Sequence, residues 1–141
     1  MVKLLYAAKL VNSPNDLERL LKPLTDAGID AYHCSTRRFW GPEFAGSNLN
    51  LAGWTKKLSG ESTITVGSVT LSKDATETVA SADAAATTGI DELLDRLERG
   101  EFDLVAIGRA LIANPDWALV VRDGAVSKLR PFQRDLLSSL I

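Results

Sequence analysis

Two short stretches of this chain place a glycine where it could help bind an anion. The first runs Ile64-Thr65-Val66-Gly67-Ser68-Val69, the second Val105-Ala106-Ile107-Gly108-Arg109-Ala110. In each, an apolar or β-branched run stops at glycine. A residue without a Cβ lets a phosphate approach the backbone closely, and the N–H groups of the turn can point at it. Arg109 adds a planar cation whose fork of donors matches phosphate oxygens. Gly67, Ser68, Gly108 and Arg109 thus form a candidate phosphate-binding set. The same pattern has a plainer meaning: glycine often ends strands, and Arg109 would then make a surface ion pair.

Other reactive types are sparse. His33 and Cys34 are the single histidine and the single cysteine of the 141 residues. They give no metal-ligand constellation. A lone cysteine rules out an internal disulfide and fits a reducing compartment, so the expected location is the cytoplasm. No basic pattern activates Cys34, which reads as a small buried residue. His33 reads as packed or hydrogen-bonded at a strand end. Arg37 and Arg38 lie in an aromatic loop, over about 35–47, and are expected to be solvated or ion-paired. The net charge of −2 leaves no nucleic-acid footprint. The longest apolar runs, 104–107 and 118–121, are far shorter than the roughly 20 residues that span a bilayer. Met1–Tyr6 has no cleavage-like context, and no secretory leader is expected.

Alternating helices and strands must position these residues. Ser13-Pro14 starts a helix, with Ser13 as cap and proline at the first position. Leu17, Leu20, Leu21 and Leu24 then mark one buried face, and Gly28 follows as a stop. A strand over 29–34 comes next, then a short helix over 50–58 and a strand over 63–66. Residues 75–88, rich in Ala, Thr and Ser, read as a loose loop or weak helix. A helix over 90–99 presents Leu93, Leu94 and Leu97 on one side. The near-continuous apolar run Phe102–Ile107 reads as a strand covered on both faces. Asn114-Pro115-Asp116 caps a helix through about Arg122. A last helix from Pro131 buries Leu136, Leu137 and Leu140. Trp54 and Trp117 are expected as core aromatics on helices. The order predicts one α/β domain over 1–141 with a parallel sheet. Three strands are too few for a closed eight-stranded barrel, which takes about 250 residues.

The stretch Ala31-Tyr32-His33-Cys34-Ser35-Thr36-Arg37-Arg38-Phe39-Trp40-Gly41-Pro42-Glu43-Phe44 resembles the sixth-strand region of bacterial NADH:flavin oxidoreductases of the old yellow enzyme family. Asn50–Leu58, Ile64–Val69, Gly100–Leu111 and Asn114–Trp117 continue the likeness in the same order, so that it covers most of the chain from about Tyr6. The resemblance implies a C-terminal portion, about strands six to eight, of an FMN-binding TIM (β/α)8 barrel. In that family FMN is reduced by NADH or NADPH and passes hydride to an activated alkene such as an enone. It further implies that Gly67 and Ser68 after the seventh strand, and Gly108 and Arg109 after the eighth, hold the FMN phosphate. Phe132 would match an aromatic beside the flavin and the substrate pocket.

The family's substrate-binding His/Asn or His/His pair and its proton-donating tyrosine come from earlier strands. They have no counterpart here, so no catalytic residue is assigned and the chain alone is expected to be inactive. An incomplete barrel leaves parallel edges and apolar surface open. Self-association or a complementary barrel fragment is therefore the expected partner, with no nucleic acid and no membrane. The alternative is a non-catalytic remnant that binds a phosphate or flavin ligand, or a protein partner.

Overall fold

The computed structural model of the protein describes residues 9–81 and 83–139. The expectations placed on Met1–Tyr6 and on Leu140 lie outside them. Helix α1 spans Pro14–Asp26, with Ser13 as cap, its hydroxyl accepting from Asp16 N. Strand β1 spans Ala31–Ser35, helix α2 Leu51–Ser59 and strand β2 Ser62–Val66. Helix α3 spans Ala75–Ala80, helix α4 Asp91–Glu98 and strand β3 Leu104–Ala106. Two short helices follow, α5 over Arg109–Ala113 and α6 over Trp117–Arg122, and the chain continues into 3-10 turns at Val126–Lys128 and Arg134–Ser139.

The strands form one parallel sheet in the order β1-β2-β3. Its register aligns His33 with Ile64 and Leu104, and Ser35 with Val66 and Ala106. Side chains alternate between the faces of a strand, so the two faces can be compared directly. One carries Tyr32 and Cys34 of β1, Thr63 and Thr65 of β2 and Val105 of β3. Cys34, Thr63 and Thr65 are buried there, in a layer covered by the helices that holds Ala52, Leu93, Phe102, Trp117 and Phe132. The other face carries Ala31, His33, Ser35, Ser62, Ile64, Val66, Leu104 and Ala106. Every one of these is exposed or half-buried, and Leu104 is 57% exposed.

That bare face corrects the expectation that the third strand is covered on both sides. It also corrects His33, which stands exposed on the open face. The leucine face of α1 is likewise split. Leu17 and Leu21 are buried with Val11 and Phe44, whereas Leu20 and Leu24 are more than 40% exposed. The periodicity marked a stripe wider than the protein to be found beneath it.

Three helical expectations change. In α4 the buried positions are Leu93 and Arg96, and Leu94 is exposed. Arg96 is held by Glu92 and Glu101 and donates to the carbonyls of Trp40 and Asn48, so a cation takes a place the apolar pattern gave to leucine. The segment 75–88, read as a loose loop or a weak helix, does contain a short helix, α3, with a complete capping box: Asp74 accepts from Glu77 N while Glu77 accepts from Asp74 N. The last helix is instead a 3-10 turn over Arg134–Ser139, where Leu136 is half-buried and Leu137 exposed. Asn114 does not cap α6 as expected. Its side chain donates to Arg130 O and accepts from Arg130 N, tying the C-terminal segment to the end of α5.

Candidate functional site

The C-terminal ends of the strands carry the candidate residues. Because β2 and β3 are parallel and Val66 pairs with Ala106, the turns that begin at Gly67 and Gly108 leave the sheet at the same edge. They touch: Arg109 Nη2 donates to Ser68 Oγ over 3.3 Å. The sequence therefore brings Gly67, Ser68, Gly108 and Arg109 together. They border an open concavity of about 850 Å³ that also takes in Ser35, Val66 and Ala106 of the bare face and Leu20 and Leu24 of α1.

The two glycines sit in different surroundings. At Gly67 φ is +141°, and a Cβ would lie 2.7 Å from Thr36 O and 2.8 Å from Arg38 N. The loop 36–39 crosses the backbone there and is fastened to it. Thr36 Oγ1 donates to Val66 O, Phe39 N donates to Gly67 O, and Ser68 Oγ donates to Arg37 O. The absent side chain of Gly67 is thus used by the protein itself. At Gly108 a Cβ would meet nothing within 4 Å, so the space beside this residue opens outward. Ser68 and Thr70 adopt φ of 50° and 55°, a left-handed backbone that is rare for non-glycine residues and strained for a β-branched one. Trp117 secures the turn by donating its indole N–H to Thr70 Oγ1 over 3.0 Å.

Arg109 is not a surface cation in an ion pair. Nη1 donates to Asp74 O and Thr78 Oγ1, and Nη2 to Lys73 O at 2.8 Å as well as to Ser68 Oγ. Its guanidinium also lies 5.9 Å from the centre of the Phe132 ring. Among the described residues, none accepts from its Nε–H. Burial pushes the Arg109 pKa down, and the carboxylates of Asp74 and Glu77 oppose this. Arg38 approaches the same carboxylates from the other side, 2.6 Å from Glu77 and 3.5 Å from buried Asp74. The hydrogen bond to Glu77 pushes the Arg38 pKa up. The backbone N–H of Asp74 and then Arg38 pull the Glu77 carboxyl down. Two arginines and two acids therefore share the edge, and their charges largely cancel.

Other candidates fall elsewhere. Phe132 is 2% exposed in the helix-covered core, bridged to Ala85, and does not line the concavity. Cys34 is buried, and burial pushes its thiol pKa up, away from the reactive thiolate. Tyr32 packs toward α1, its hydroxyl donating to Leu21 O. Arg37 is exposed at the mouth. Among the described residues no group of three or more His, Cys, Asp or Glu could hold a metal ion. Nor is any helix among them long and apolar enough to cross a membrane. Sequence reasoning missed Asp74, Glu77 and Thr78, which engage both arginines. The Asp74-x-x-Glu77 spacing of a capping box was the available signal. Compared with models of known protein families and with curated protein sequences, the chain matches none.

Proposed function

We propose that the chain contributes the phosphate-binding end of a flavin site, as strands six to eight of an FMN-dependent oxidoreductase barrel of the old yellow enzyme type. The observation that carries this is the meeting of the Gly67-Ser68 and Gly108-Arg109 turns at the C-terminal edge of a parallel sheet. In α/β folds that edge is where ligands bind, and in barrels the last two strands commonly hold phosphate. The bare sheet face supports a barrel origin, because in a closed barrel that face would turn to the packed interior. The residues present can accommodate a phosphate monoester: Gly108 borders open space, Arg109 keeps one N–H unengaged among the described residues, and the Ser68 hydroxyl lies beside it. Bound FMN would supply hydride chemistry. The chain's own part is to anchor the phosphate at Gly108 and Arg109 and to exclude water along Val66 and Ala106.

Titration with FMN followed by flavin fluorescence tests the proposal. Binding is expected, with Arg109→Ala weakening it by about tenfold to hundredfold, as for loss of a charge-assisted contact. Arg37→Ala and Arg38→Ala are expected to weaken it less. Equal affinities for wild type and Arg109→Ala would make the Gly-Arg pair purely structural. A second reading, a module that binds a protein partner, is favoured by one observation, the uncovered face around Leu104. An absence of FMN binding together with a stable complex on that face would select it.

A further inference from the structure

The segment Lys73–Ala80 has little of its own to keep it in place. Its helix α3 has six residues, too few to be stable by itself. The chain before it is firmly held. Ser72 N donates to Ala86 O, Thr88 N donates to Thr70 O, and Trp117 grips Thr70. From Lys73 onward most of the ties come from Arg109, whose two terminal nitrogens reach Lys73 O at 2.8 Å, Asp74 O at 3.2 Å and Thr78 Oγ1 at 2.5 Å, while Ser68 Oγ adds a second donor to Lys73 O at 3.1 Å. The other cation, Arg38, holds Glu77 through a solvent-facing pair, which contributes little, and reaches the buried Asp74 carboxylate only at 3.5 Å. Arg109 thus has two competing uses: among the described residues only its Nε–H is left unengaged, and a phosphate that takes the two-pronged contact a guanidinium offers needs a terminal N–H that this segment now holds.

We propose that Arg109 is a latch. It holds Lys73–Ala80 as a strap at the sheet edge, and a phosphate monoester entering beside Gly108 competes for the guanidinium and frees the strap. The choice of anion rests on the phosphate-site proposal above; the tie between Arg109 and the strap does not. Anion binding and strap closure are then opposed, so binding is weaker than the same residues would give if Arg109 were free. Removing an acceptor on the strap should strengthen it. The strap's Thr78 hydroxyl is the acceptor that can be deleted with least change of shape.

The Lys73–Asp74 peptide bond reports the state of the strap, because the Lys73 carbonyl accepts from Arg109. A protease that cleaves only after lysine leaves the arginine substitutions themselves invisible. Cleavage of a transiently opened segment follows the population of its open form, so Arg109→Ala should raise the rate after Lys73 by about tenfold or more. Thr78→Val should raise it less, while FMN binds this variant more tightly than wild type. Saturating FMN should speed cleavage in wild type and leave Arg109→Ala unchanged. Wild-type cleavage slowed or unaffected by bound FMN, or weaker FMN binding by Thr78→Val, overturns the latch and leaves the phosphate site standing. Failure of FMN to bind wild type and both variants removes the phosphate site and the competition with it. An unchanged Lys73 rate in Arg109→Ala removes the tie itself.

Discussion

Replacing each of the two strand-end glycines by alanine separates a glycine the fold requires from one it leaves open. At Gly67 the new methyl would stand 2.7–2.9 Å from backbone atoms of Thr36, Arg37 and Arg38. Those atoms belong to a loop fastened by three hydrogen bonds around Gly67, so it cannot yield as a flexible side-chain tip would. Overpacking of this kind costs about 1–3 kcal/mol. Holding an L residue at a φ of +141° costs on the order of 1–3 kcal/mol more. A combined loss of about 4 kcal/mol corresponds to a fall in Tm of roughly 15 °C for a chain of this size. Gly108→Ala adds a methyl with no neighbour within 4 Å and should change stability by less than about 1 kcal/mol. In FMN titrations, however, that same methyl would stand in the path of the phosphate and weaken binding. Thermal melts followed by far-ultraviolet circular dichroism measure the first pair of effects. Equal melting temperatures for the two variants would refute the assignment of Gly67 to backbone crossing and of Gly108 to open space.

Asn50 is fully buried, donates to Phe39 O and Thr65 Oγ1 and caps α2 at Gly53 N. Asn50→Ala should therefore cost about 2–4 kcal/mol in urea denaturation, combining a lost cap with an orphaned carbonyl. Asp103 gives a pH-dependent case. The hydrogen bond from Lys56, then that from Thr63 N, hold its carboxyl below the ordinary value. With the folded-state pKa depressed, its stabilisation is present above the unfolded value near pH 4 and is lost as pH falls through the folded one. Solvent screening keeps it below about 1 kcal/mol. The stability gap between wild type and Asp103→Asn should therefore close on acidification from pH 6 to pH 3, and a gap that widens would contradict the ion pair. Leu104→Glu on the bare face should lower binding of a hydrophobic dye and reduce self-association, with Tm unchanged within a few degrees because the side chain is 57% exposed. A large loss of Tm would mean that this face is covered in the free protein.

Local signals were enough for the three strands and for α1, α2, α4 and α6, but not for α5 or for the 3-10 turn at Arg134–Ser139. Ser13-Pro14 starts α1 and the β-branched run before Gly67 forms β2, because caps, proline and β-branched side chains act on their immediate neighbours. The shared edge of the Gly67 and Gly108 turns also followed from sequence, since strands in βαβ order run parallel. What surrounds a residue did not follow. Leu94 and Arg96 lie two positions apart in α4, yet the arginine is buried because Glu92, Glu101 and two distant carbonyls converge on it. The apolar run of β3 could not reveal that one of its faces has no cover, because a run of side chains states their preference for burial and not the presence of a neighbour. Glycine at 67 and at 108 looks the same in sequence. Only the path of the loop 36–39, brought across one strand end and not the other, makes the first a packing requirement and leaves the second open to solvent. Likewise the guanidinium of Arg109 was legible as a cation, but its occupation by a segment some 35 residues earlier in the chain depended on a turn through left-handed Ser68 and Thr70 that Trp117, 47 residues further along the chain, holds in place.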